Sequence, residues 1–112
     1  MEQIITASIE YSPETDVLVL WAEPAPTEWE VDPLDAMVWV YYAVDDQGRG
    51  TERIVAVEAI DFSKLPLEKI SGLADLPVLW KLNGEKPSKT IDILKHLQSI
   101  MKARSEQAVG IA

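Results

Sequence analysis

AMVWVYYAV, residues Ala36 to Val44, contains no charged residue. A short run of this kind, dense in valine and aromatic residues, reads as a strand. Being apolar on both faces, it belongs in the middle of a sheet that is covered on either side. Side chains alternate along a strand, so Trp39 and Tyr41 share one face, and Val38, Val40 and Tyr42 share the other.

Downstream, Asp45 to Gly50 (DDQGRG) is a loose hairpin loop, and Thr51 to Asp61 forms a further strand rich in β-branched residues. Upstream, Glu23 to Asp35 carries three prolines and five acids. Each proline lacks the N–H that a sheet interior needs, so Pro24 to Asp35 is expected to be a loop. Before it, Ile5, Ala7, Ile9 and Tyr11 alternate with Ile4, Thr6, Ser8 and Glu10, the period of a strand with one buried face. Ser12-Pro13-Glu14-Thr15 then makes a tight turn, with φ preset at Pro13. Asp16 to Glu23 pairs back antiparallel. Glu14 and Asp16 are expected to fix that turn by accepting free backbone N–H groups.

Beyond Asp61 the period changes. Phe62 to Leu73 suggests a short helix capped by Ser63, with Pro66 in its first turn and Gly72 at its end. Val78 to Leu82 suggests a short edge strand before the Asn83-Gly84 turn. From Ser88 to about Arg104, Ile91, Leu94, Leu97 and Met101 form one stripe, widened by Ile93 and Ile100, which specifies an amphipathic helix. The expected fold is α+β: a four-stranded antiparallel meander with helices packed on one face and an amphipathic helix at the C-terminus. Residues 1–104 form one domain and residues 105–112 a flexible tail.

The formal net charge of −9 conceals a division: Met1 to Gly48 holds eleven acids and no Lys or Arg, and the remainder carries +2. Nucleic acid and anionic membranes are bound by Lys and Arg displacing counterions, so neither is an expected partner. A basic protein is. There is no cysteine, which excludes a disulfide framework, a thiol nucleophile and a cysteine zinc site. No basic leader precedes an apolar core and no apolar run reaches about eighteen residues, so the expected location is the cytoplasm.

Motifs for chemistry are sparse. His96 is the only histidine and lies one helical turn after Asp92, too few ligands for a metal and without a nucleophile beside it. Gly48 and Gly50 lie between strands, where they make no phosphate loop. The carboxylate pairs Glu14/Asp16 and Asp45/Asp46 sit at hairpin ends in water, whereas general acid catalysis wants a buried carboxyl. No enzyme activity, cofactor or metal is expected.

The aromatics are more telling. Trp21, Trp39 and Trp80 sit in apolar contexts and read as core, while Trp29 stands between Glu28 and Glu30. Helices can cover one face of the sheet only, so the other would form an apolar patch, and such patches mark interfaces. The expected dimer interface is Val38, Trp39, Val40, Tyr41 and Tyr42; the expected basic-partner surface is Glu28, Trp29, Glu30, Asp32 and Asp35. A competing expectation is a small-molecule binding protein or minor enzyme, with a pocket between the sheet and the last helix and Trp80 or His96 at its mouth.

YSPETDVLVLW followed by DDQGRGTERIVAVEAIDFS resembles a family of short bacterial proteins of unknown function. That family opens on Tyr-Asp-Pro-Glu, continues with an Asp before an alternating Leu strand, and closes on Asp-x-x-Gly, Ile-Val and Glu-Ile. Tyr11, Pro13, Glu14, Asp16 and Leu18 match the opening; Asp46, Gly48, Ile54, Val55, Glu58, Ile60 and Asp61 match the close. Ser12 departs from the family's Asp, the middle section is longer, and the helical end lies outside the resemblance, which covers Glu10 to Ser63. The resemblance implies no established activity. Family members encoded beside small toxins imply an acidic, partner-neutralising role. The expected function is therefore a small, non-enzymatic protein-interaction module.

Overall fold

The computed structural model describes the backbone of residues 3–111 and the side chains of residues 3–103. Among these, seven strands, β1 (Gln3–Ser12), β2 (Val17–Ala22), β3 (Trp29–Asp35), β4 (Val38–Val44), β5 (Gly50–Ile60), β6 (Val78–Lys81) and β7 (Ser88–Lys89), are followed by one helix, α1 (Thr90–Ile111). The strands form one curled, mixed sheet in the order β3-β4-β5-β2-β1-β6-β7. The four-stranded antiparallel meander is thus wrong in number, order and direction. β5 is the reason for the order. Eleven residues long and buried from Ile54 to Val57, it pairs antiparallel with β4 on one side and β2 on the other.

The segment expected to be a loop contains β3. Its Pro33 is tolerated because β3 is the outermost strand, where a missing N–H breaks no ladder on the open side, and the register shifts between Pro33 and Asp35. Ala36 and Met37 make the turn into β4, with the Met37 N–H donating to Asp35 Oδ1 at 3.1 Å. At the other end, the Val78 strand is no edge. β6 runs parallel to β1, and β7 pairs outside it.

No continuous helix spans Phe62 to Leu73. Three single 3-10 turns, Phe62–Lys64, Leu67–Lys69 and Leu73–Asp75, bury Phe62, Leu67 and Leu73 instead. Pro66 separates the first two turns, and Gly72, at φ 85°, precedes the third with the Leu34 side chain against it. Ser88 caps nothing: it belongs to β7 and its hydroxyl donates to the Lys86 carbonyl, so α1 starts two residues later than the pattern suggests. The expected tail from Ser105 lies outside the residues whose side chains are described.

One layer of core joins these parts. Leu18, Leu20, Val38, Val40, Val57 and Val78 face Phe62, Leu65, Leu73, Ile91 and Leu94. Each such side chain stabilises the fold by about 1.5–3 kcal/mol through burial. Gln98 ties α1 to the first turn, its Nε2 donating to the Phe62 and Leu65 carbonyls at 2.7 and 2.8 Å. Past the end of β2, the Gln3 side chain stands in for a strand: its Nε2 donates to the Ile54 carbonyl and its Oε1 accepts from the Ile54 N–H, both at 3.0 Å. Among the described residues no helix is long and apolar enough to cross a membrane.

Candidate functional site

The sheet presents three groupings of polar or aromatic side chains. Around the β1–β2 turn, Asp16 adopts a left-handed backbone, φ 55°, and so does Asp61, φ 52°. That geometry turns the Asp16 carboxylate toward the end of β5. Oδ1 accepts from the Tyr11 hydroxyl at 2.7 Å, Oδ2 accepts from the Ser63 hydroxyl at 2.6 Å, and the Ser63 N–H points at both oxygens. The Phe62 N–H donates to the Asp16 carbonyl at 2.9 Å. Burial works against the charge of Asp16, but the bonds from Ser63 and Tyr11 outweigh it and hold the carboxyl below its ordinary range. Asp16 therefore fixes a long-range junction and not only its own turn. Both carboxylate oxygens are thus held by bonds from Tyr11 or Ser63.

The outer face of the sheet carries an aromatic layer. The ladders put Trp39 beside Glu58 and Val19, and Tyr41 beside Val31, Ala56 and Trp21. Trp21 meets Trp29 and Tyr41 edge-on with centroids 5.4 and 5.5 Å apart, while Trp29 stacks on Tyr41 at 5.5 Å. These rings cover Val19 and Ala56 beneath them. Tyr41 Oη donates to Glu58 Oε1 at 3.0 Å; burial, and then this bond, push the phenol up to about 12. Trp39 Nε1 is buried and has no acceptor among the described residues.

The opposite face of the same strands opens into a cleft of about 540 Å³, lined by Glu30, Asp32, Tyr42, Glu52, Ile54 and Pro77 among others. Gly50 makes room for the Glu30 carboxylate, which lies where a Cβ would stand. Glu30, Asp32 and Glu52 are all exposed, and among the described residues no Lys or Arg lines the cleft. Among the described residues none of the three enters an ion pair. Burial, and then the neighbouring Asp32, raise the Tyr42 phenol. The cleft combines negative charge with an apolar and aromatic floor, which suits a cation carried on an aliphatic stem.

Strand alternation divides the residues expected to act together. Glu30 and Asp32 line the cleft, but Trp29, between Glu28 and Glu30 in sequence, belongs to the outer layer and is 38% exposed. Asp35 serves the β3–β4 turn. Of the expected dimer residues, Val38 and Val40 are core, 0% and 1% exposed, and Tyr42 faces the cleft; only Trp39 and Tyr41 look outward. The two residues expected at the mouth of a pocket between sheet and helix differ in exposure. Trp80 is fully buried, its Nε1 donating to the Thr90 hydroxyl at 2.8 Å, and His96 is exposed on α1. Glu52 and Trp21 were absent from the expected sites, since only the register of β5 with its neighbours reveals their faces.

Among the described residues no three His, Cys, Asp or Glu side chains are grouped to hold a metal. No protein-family model matches the chain, and no curated protein or solved structure matches it significantly.

Proposed function

We propose that this chain is a non-enzymatic interaction module that captures a Lys- or Arg-bearing segment of a partner protein in the cleft between β3 and β5. One observation carries the reading: Glu30, Asp32 and Glu52 surround an open cleft, floored by Tyr42, Ile54 and Pro77, that has no basic side chain among the described residues. Such a site offers charge to a cationic head and apolar surface to its methylene stem. The acid-rich first half of the chain adds a field that speeds the encounter. A carboxyl acting as general acid wants burial, and these three have none.

Calorimetric titration with an oligo-arginine peptide tests the reading. Binding is expected at low salt and is expected to weaken at least about tenfold near half-molar salt, where screening acts within a few ångströms. Glu30→Gln, Asp32→Asn and Glu52→Gln together should abolish it. The same charge removed elsewhere, by Glu14→Gln, Asp46→Asn and Glu85→Gln, should leave most of it. Equal loss from both triple variants would reduce the effect to net charge and sink the cleft as a site.

A further inference from the structure

The outer edge of β3 has main-chain groups to spare, and the β4–β5 ladder says which. The Ile60 N–H donates to the Met37 carbonyl at 2.8 Å and the Asp45 N–H to the Arg49 carbonyl at 2.7 Å, so the odd-numbered residues of β4 bond toward β5. The bonding side alternates along a strand, which turns Val40 and Tyr42 toward β3. Their partners there are Asp32 and Glu30. Trp29, Val31 and Pro33 therefore aim their main-chain groups at the open side. Among the described residues no turn, loop or cap hydrogen bond reaches these three, and residues 29–33 are all exposed. Val31 also lines the acidic cleft between Glu30 and Asp32, so edge and cleft are continuous.

We propose that the partner's basic segment binds as an extended strand added to this edge, with Lys or Arg at every second position, an inference that rests on the cleft reading and deepens it.

Alternation and charge together choose the occupant. Glu30 and Asp32 stand two residues apart on one face of β3, and side chains directly opposite them on an added strand would have Cβ atoms about 4.5–5.5 Å away. In an antiparallel pairing these are the positions without main-chain bonds, where side chains approach closest. The residue between the two cations lies opposite Val31 and exchanges both main-chain bonds with it. Its side chain falls on the outer face, where Trp29 stacks on Tyr41. The recognised pattern is thus basic, apolar, basic. A helix cannot present it, because neighbours on a helix surface are three or four residues apart. A second copy of β3 fails on charge: paired about Val31 it would set Glu30 against Asp32 twice, and like charges directly opposite destabilise a sheet. Pro33 has no N–H to offer, which confines the pairing to a short stretch around Val31.

The probe is a capped heptapeptide, Thr-Thr-Arg-Val-Arg-Thr-Thr, titrated at low salt up to about 1 mM, which reaches weak binding. Amide hydrogen exchange on the full chain reads the edge residue by residue. In the free protein the Trp29 and Val31 amides are expected to exchange faster than those of Glu30 and Asp32, and bound peptide should slow the Val31 amide at least about tenfold. N-methylation of the peptide's valine keeps every charge and removes the donor to the Val31 carbonyl, and should weaken binding at least about tenfold. Val31→Pro, which removes the matching donor as Pro33 already does nearby, should weaken binding similarly and keep the wild-type circular dichroism spectrum. Equal binding of the N-methylated peptide, or unchanged exchange at Val31 under saturating peptide, overturns the added strand. So does a heptapeptide that fails to bind where oligo-arginine succeeds, and in each of these cases the cleft reading stands on its own test. Failure of the heptapeptide and of oligo-arginine alike overturns both.

Discussion

Asp16 shows how one side chain can hold two distant parts of a chain. Replacing it by Asn keeps a residue that tolerates the left-handed backbone, yet exchanges a charged acceptor of several bonds for a neutral one. A loss of about 1–3 kcal/mol is expected in urea denaturation at pH 7. Because the folded carboxyl titrates below its unfolded value, its stabilisation is complete above the ordinary aspartate range and is lost as pH falls toward the depressed value. The gap between wild type and Asp16→Asn should therefore close in acid. The tyrosines give the mirror case. Tyr11, by its bond to Asp16, and Tyr41 and Tyr42, by burial first, all have phenols raised above 10 in the fold. Their contribution is complete below pH 10 and is lost as pH rises through each raised value, which for Tyr41 is about 12. Ultraviolet titration should show less tyrosinate at pH 10 in the native protein than in denaturant, with Tyr41 the last to ionise.

At the scale of elements, the sequence was most readable where period and burial coincide. The alternation from Ile5 to Tyr11, the β-branched run after Thr51 and the stripe of α1 all correspond to formed elements. The prolines misled because their cost depends on place: Pro33 is forbidden in a central strand and harmless in β3, and local residues do not say which strand is outermost. For the same reason the site was half legible. The acids of β3 were found, but their separation from Trp29 required recognising β3 as a strand, and Glu52 required the register shift between β4 and β5. Gln3 had no signal at all, since its amide completes a ladder fifty-one residues away. Gln3→Leu should leave the Ile54 N–H and carbonyl without those partners and cost about 1–3 kcal/mol in the midpoint of a urea melt. A midpoint equal to wild type would mean that water replaces the amide without loss.

For the whole molecule, charge and apolar surface are sorted to opposite sides of one sheet, the cleft side anionic and the outer side aromatic. The sorting depends on the position of β1 in that sheet. The first strand of the chain lies between β2 and β6, and its parallel partner runs from Val78 to Lys81. During synthesis the first strand can zip onto β2 early, yet its other edge waits until about seven-tenths of the chain has left the ribosome, since non-local pairing must await its partner. Until then a row of unpaired amides beside Ile5 is available to any other nascent strand. The molecule is therefore most exposed to misassembly while β6 is still inside the exit tunnel, and a chain released before Trp80 would keep that vulnerability permanently.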